Sequence, residues 1–156
     1  MHGHQVAVVD EFVYLGALTH SSVLSSYDIH RRSCLTRSAM QKSDNCIWKS
    51  RLSLSIKLKL YNVCILPIML YGSECWALSR VEARKVDALD QWCLRRILDI
   101  RWYHRISNCE VRRLTEQPPL TSIIQKRRLT LFGHQVRMDE STDARRILTA
   151  VPRVSK

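Results

Sequence analysis

The stretch Tyr71–Ile100, YGSECWALSRVEARKVDALDQWCLRRILDI, decides the fold of this chain. Ser79 and Glu82 form a capping-box pair, in which the serine oxygen accepts from one free helical N–H and the glutamate reaches back to another. Behind this pair, apolar residues recur at steps of three and four, as they do on the buried face of an amphipathic helix: Val86, Leu89, Cys93, Ile97 and Ile100. Gly72 favours the left-handed conformation that ends a helix. The stretch therefore predicts a helix ending near Gly72, a short connection and a second helix over 79–98.

The flanking sequence predicts a mostly α fold, a small bundle of about five helices preceded by a short β-hairpin or strand. Besides 79–98, we expect helices near 29–48, 54–70, 108–115 and 120–137. Gln5–Val9 and Phe12–Leu15 have strand composition, with a turn at either Asp10–Glu11 or Gly16. We expect a hairpin within 1–20, a three-helix unit over 21–100, basic helices over 101–138 and a flexible tail over 139–156.

Two of the predicted helices have unusual features. In 29–48, the stripe is interrupted by three polar residues, Ser33, Thr36 and Ser43, so we expect it to pack less tightly, with Asp28 as its cap. In 54–70, Pro67 should kink the helix or remove one backbone hydrogen bond. We expect the apolar face of this second helix to consist of Ile56, Leu60, Val63, Cys64, Pro67 and Leu70.

The charge balance suggests a polyanionic partner. The 156 residues hold 25 Lys and Arg against 14 Asp and Glu, a net charge of +11. Residues 81–156 carry the larger excess of basic side chains. Such a balance suits nucleic acid, although a basic surface can equally be only solvated.

Composition and motifs also bear on chemistry and compartment. The six cysteines include no C-x-x-C pair, so we expect free thiols and no metal site. Met1–His4 lacks the start of a signal peptide, and the apolar run 60–71 is too short to span a bilayer. Phosphate-binding loops, nucleophile elbows and H-E-x-x-H motifs do not occur in the sequence. We expect an intracellular chain, nuclear or cytoplasmic, with no membrane partner, cofactor or enzymatic activity of its own.

Several ordered motifs resemble one known family. FVYLGALT, YGSECW, WCLRRIL, EVRRLTEQPPL and RRLTLFGHQVRM follow one another between Phe12 and Met138. Together they resemble the region after the polymerase palm in reverse transcriptases of non-LTR (LINE-type) retrotransposons. The resemblance implies a thumb and post-thumb region that closes over an RNA template and a DNA primer. It places Tyr14, Leu15 and Gly16 near the primer grip, and the catalytic aspartate pair of such polymerases before the start of this chain.

The candidate contact residues are basic side chains on predicted helices, away from the main apolar stripes. They are Arg95, Arg96, Arg112, Arg113, Lys126, Arg127 and Arg128. Because no predicted element resembles a recognition helix, we expect contacts to the nucleic-acid backbone that are independent of sequence. The alternative is a basic helical protein-interaction module with no nucleic-acid role.

Overall fold

A computed structural model describes residues 9–20, 25–139 and 141–149, and it confirms the expected fold class. A two-stranded antiparallel sheet precedes a set of packed helices. The strands and α-helices are β1 (Glu11–Tyr14), β2 (Ala17–His20), α1 (Ser26–Lys42), α2 (Leu54–Leu60), α3 (Leu66–Leu70), α4 (Arg80–Ile97), α5 (Asn108–Thr115), α6 (Leu120–Val136) and α7 (Asp143–Thr149). Two π-helical segments, Asp44–Trp48 and Tyr61–Ile65, and two 3₁₀ turns, Ser73–Cys75 and Trp102–His104, lie between them.

Helix α4 is the centre of the bundle, as its sequence predicts. Its N-terminus carries the capping box: Glu82 N donates to Ser79 Oγ at 3.2 Å, and Ser79 N donates to Glu82 Oε2 at 2.8 Å. The predicted stripe is buried from Val86 to Ile97. Helices α1, α5 and α6 all pack against α4, so this stripe forms the middle of a single hydrophobic core.

Helix α1 begins earlier and ends sooner than the predicted helix over 29–48. It starts at Ser26 behind Ser25, so Asp28 lies inside the first turn and is not the cap. A π-helical segment replaces its predicted last turns. Ile29, Thr36 and Met40 are among its buried residues.

The predicted helix over 54–70 is present as α2, a π-helical segment and α3 in direct succession. Pro67 is in the first turn of α3, directly after the π-helical segment. Because proline has no N–H and its ring crowds the carbonyl four residues earlier, a local break in the α-helical ladder at this point is expected.

The apolar face predicted for this helix was wrong in part. Ile56, Val63, Cys64 and Pro67 are exposed, whereas Tyr61 and Ile65 are buried. Nearly every residue from 60 to 71 is apolar, so the sequence does not select one face. The face is set instead by Tyr61, whose hydroxyl donates to Asp90 of α4 at 2.5 Å.

The hairpin is displaced from the predicted strands. Strands β1 and β2 pair with Glu11 opposite His20 and Tyr14 opposite Ala17, so the turn is at Leu15–Gly16 and not at Asp10–Glu11. Most of the predicted strand over Gln5–Val9 lies outside the described residues. A two-stranded sheet is marginally stable alone, and β2 packs against α1.

The predicted tail contains a short helix that the sequence analysis missed. Helix α7 covers only seven residues, too few for a recognisable apolar period, and it contacts α6. Residues 140 and 150–156 of the predicted tail lie outside the described part of the chain.

Candidate nucleic-acid interface

The tip of the hairpin presents aromatic and aliphatic side chains to solvent. Leu15 and Gly16 both have positive φ, 47° and 83°, as the two central residues of a tight hairpin turn require. Phe12 and Tyr14 lie on one face of β1, with ring centroids 6.2 Å apart in a stacked arrangement. Tyr14 and Leu15 are exposed. The predicted grip-like residues Tyr14, Leu15 and Gly16 therefore form one accessible tip.

Three side chains hold this tip from below. Arg31 Nη1 donates to the Gly16 carbonyl at 2.9 Å, and Arg32 Nη2 donates to the same oxygen. The Tyr71 hydroxyl donates to the Leu15 carbonyl. The Arg32 guanidinium also lies 4.5 Å from the centroid of the Tyr71 ring, a cation–π contact. Because its carbonyls are fixed by α1 and Tyr71, the tip is preorganised.

A buried carboxylate, Asp28, completes the anchor. Asp28 is 4% exposed and accepts from the Leu18 backbone N–H at 3.1 Å and from Trp76 Nε1 at 3.0 Å. Arg32 Nε lies 3.7 Å from the same carboxylate. One side chain of α1 thus joins β2 to the connection that leads into α4.

A groove with two basic side chains, Lys126 and Arg127, lies on α6 next to the segment that follows Leu70. Arg127 Nη1 of α6 donates to the Leu70 carbonyl at 2.9 Å, and α6 packs on the 3₁₀ turn Ser73–Cys75. An open groove of about 600 Å³ lies between them. It is lined by Glu74, Ile123, Lys126, Arg127, Thr130, Leu131 and His134.

Lys126 and Arg128 are the least constrained of the predicted contact residues. Both are exposed, and neither side chain forms a hydrogen bond or an ion pair within the described residues. Successive residues of an α-helix are rotated by about 100°, so side chains two residues apart point in nearly opposite directions. Lys126 lines the groove, and Arg128 therefore faces away from it.

Arg95 and Arg96 of α4 have structural partners. Arg95 Nη2 donates to the Ile106 carbonyl at 2.6 Å and to Asn108 Oδ1 at 2.9 Å. Arg96 Nε donates to Asp44 Oδ1 at 2.6 Å, and this hydrogen bond lowers the pKa of the Asp44 carboxyl. The two arginines tie α4 to the segments before α2 and α5.

Arg112 and Arg113 of α5 are adjacent in sequence but differ in environment. Arg112 Nη1 lies 2.5 Å from Asp90 Oδ2 and donates to the Pro118 carbonyl at 2.9 Å. Arg113 forms a two-point pair with Glu110 at the surface, at 2.6 and 2.9 Å. Burial raises the pKa of Asp90, against the opposing effects of the Tyr61 hydroxyl and the Arg112 charge. Arg112 thus belongs to a buried polar network, whereas Arg113 is at the surface.

The structure brings together only part of the predicted set. The segment 70–75 contacts both the hairpin tip, through Tyr71, and the groove side of α6, through Leu70. In contrast, three predicted contact residues are bound to other parts of the fold: Arg95, Arg96 and Arg112. Tyr71, Arg31 and Arg32 were not predicted from the sequence as part of the site. Arg32 is in fact 7% exposed. The one sequence signal that could have identified Tyr71 is its position directly before Gly72, the residue that favours a helix end.

The described residues bring together no group of three or more metal-ligating side chains. No helix in that part of the chain is long and apolar enough to cross a membrane.

Comparison with known proteins gives one weak relationship. No protein-family model matches the chain, and no solved structure gives a significant match. The chain is 27% identical over 140 residues to a Caenorhabditis elegans protein described as an uncharacterized transposon-derived protein. The match covers 85% of this chain and 49% of the relative, so the chain spans about half the length of that protein. This similarity hints at a transposon origin for the chain, without identifying a reverse-transcriptase region.

Proposed function

We propose that this chain is a non-catalytic, nucleic-acid-gripping part of a retrotransposon RNA-directed DNA polymerase, and that it holds a template–primer duplex. One observation carries the proposal: an exposed aromatic hairpin tip and a basic groove on α6 are joined through Tyr71 and Leu70. The similarity to a transposon-derived protein supports the origin that this function requires.

The chemistry of the two parts suits a nucleic acid. Exposed rings such as those of Phe12 and Tyr14 can stack on bases or sugars, and Lys126 can neutralise a phosphate. A preorganised tip favours binding, because the hairpin is already ordered in the folded chain and binding does not carry the entropic cost of ordering it. Since neither part is a helix shaped for the major groove, the contact is with the backbone and is independent of sequence.

We propose further that the chain alone does not extend a primer. By its resemblance to non-LTR reverse transcriptases, the aspartate pair that holds the catalytic metals belongs to a preceding part of the polymerase. Incubation with magnesium, template, primer and nucleotides should give no product above a blank. Extension that survives repeated purification would mean that the chain has a metal site of its own.

The decisive experiment is the salt dependence of binding to a labelled RNA–DNA duplex, measured by fluorescence anisotropy. If about three phosphates are neutralised, the slope of log affinity against log salt is about −2.7, so a fourfold rise in salt weakens binding about 40-fold. Lys126→Ala should flatten this slope by about 0.9, the contribution of one phosphate. Tyr14→Ser should lower affinity with little change of slope, because it removes stacking and no charge.

Arg128→Ala is the matched control, because it removes an equal charge from the same helix on the side away from the groove. It should leave the slope nearly unchanged. Arg127 is unsuitable as a single test, since its replacement also removes the hydrogen bond to Leu70. If Lys126→Ala and Arg128→Ala have equal effects, the groove is not the contact surface. If the parent chain does not bind the duplex, the alternative of a protein-interaction module replaces this proposal.

A further inference from the structure

Helix α6 has a second apolar face that the described part of the chain leaves exposed. Leu120 and Ile124 point into the core. On the opposite side, Leu129, Phe132 and Val136 recur at steps of three and four and are 62%, 53% and 41% exposed. We call these three residues the outer stripe. A helix that is apolar on two sides is expected to be covered on both.

Two arginines flank the outer stripe. Arg128 borders it on one side, and the Arg137 guanidinium lies on the other side, beside Gly133. The sequence from Leu120 to Met138 contains no acidic residue. A Cβ built on Gly133 would meet only this flexible side chain, at 3.6 Å, so another backbone can approach the helix closely there.

We propose that the outer stripe docks an acidic amphipathic helix of a partner protein. Its apolar side would cover Leu129, Phe132 and Val136, and its carboxylates would pair with Arg128 and Arg137. This is the helix-in-groove type of recognition, in which anchors recur at steps of three and four. The inference is independent of the proposed grip on nucleic acid, which uses the groove side of α6.

The same observations disfavour other occupants. A second copy of α6 would place arginines against arginines, and three side chains provide much less area than a stable dimer needs. Phosphates would leave the aliphatic side chains Leu129 and Val136 uncovered. Insertion into a lipid surface requires a large apolar area, whereas the outer stripe consists of three side chains at the C-terminal end of α6.

The test uses two synthetic helical peptides of about 18 residues, five turns, that share one leucine stripe. One carries glutamates beside the stripe, and the other carries lysines. The full chain should bind the glutamate peptide at least tenfold more tightly than the lysine peptide, with the preference falling as salt rises. Leu129→Ser with Phe132→Ser should weaken the glutamate peptide at least tenfold and leave the affinity for the RNA–DNA duplex unchanged.

Val63→Ser is the matched control, because Val63 is an equally exposed apolar residue, at 65%, on another helical segment. It should not change peptide binding. Arg128→Glu should weaken the glutamate peptide and strengthen the lysine peptide, which tests the charge argument without removing any apolar side chain.

Equal binding of both peptides, or loss of binding in Val63→Ser as large as in the double variant, would overturn the proposal. So would a wild-type chain that binds neither peptide. Self-association in sedimentation, or binding to phosphatidylserine vesicles, would also overturn it if the double variant abolished that interaction and left peptide binding intact. The occupant would then be a second copy or a lipid surface.

Discussion

Replacing Asp28 by asparagine should loosen the hairpin while leaving the helical bundle folded. The carboxylate accepts from Leu18 N and from Trp76 Nε1, one on each oxygen, and lies beside Arg32. An asparagine side chain keeps one acceptor oxygen and places an NH₂ donor where the other was. One of the two N–H groups therefore loses its acceptor, and Arg32 loses its counter-charge.

The size of the effect follows from the burial of these groups. A hydrogen bond to a charged group contributes about 1.5–3 kcal/mol, and breaking a buried ion pair costs about 3–5 kcal/mol. The Arg32–Asp28 separation of 3.7 Å is long, and Arg32 keeps its bond to Gly16 O, so the lower values apply. We expect Asp28→Asn to lower the free energy of unfolding by about 3 kcal/mol and the Tm by about 6–12 °C.

Two measurements check this expectation. Guanidinium unfolding followed by circular dichroism gives the free energy of unfolding, and amide hydrogen exchange reports the protection of Leu18. Protection should fall more than the global stability does, because a hairpin without its anchor is marginal. Asp143→Asn is the control, since the Asp143 side chain is 91% exposed and its removal should leave the transition unchanged. A loss below about 1 kcal/mol in Asp28→Asn, or unchanged exchange at Leu18, would refute the reasoning.

Two further predictions concern the network around Asp90. Arg112→Ala leaves a buried carboxylate without its cation and should lower the free energy of unfolding by about 3 kcal/mol, whereas Arg113→Ala should not shift the denaturation midpoint. Equal midpoints for the two variants would contradict this. Burial raises the pKa of the Cys93 thiol from 9.0 to about 12, so between these values the unfolded chain binds fewer protons than the folded one. The contribution of this thiol to the free energy of unfolding is therefore fully present below pH 9. Above pH 9 it should fall by up to about 1.4 kcal/mol per pH unit. Cys93→Ala should flatten that fall in alkaline denaturation curves, and an unchanged slope would exclude the thiol as its cause.

Sequence patterns predicted helix α4 well, because its determinants are local. The capping box needs only Ser79 and Glu82, three residues apart, and the stripe needs only helical spacing. Helix α5, expected near 108–115, begins in a similar way, with Glu110 N donating to Ser107 Oγ at 3.2 Å. Helix boundaries and buried faces that depend only on residues a few positions apart could therefore be predicted from the sequence.

Features that depend on distant partners could not be predicted in this way. Asp90 and Arg112 are 22 positions apart in the sequence, and Asp44 and Arg96 are separated by 52. Each arginine looked like a free surface cation, because the sequence does not show which carboxylate it meets. The fold therefore reduced seven candidate contact cations to two, Lys126 and Arg128, whose side chains have neither a side-chain nor a backbone partner among the described residues.

Helix α1 shows that a polar residue on a buried face can be a requirement of the fold. Its polar positions suggested a helix that packs poorly, since a stripe with Ser33 and Thr36 buries less apolar area. Yet Asp28 and Arg32, one turn apart on the buried side, are the groups that fix the hairpin to the bundle. A helix that anchors a two-stranded sheet must satisfy the backbone donors and acceptors of that sheet, and an entirely apolar stripe cannot do so. The polarity of α1 is therefore evidence that the exposed tip at Tyr14 is held in place by this sequence.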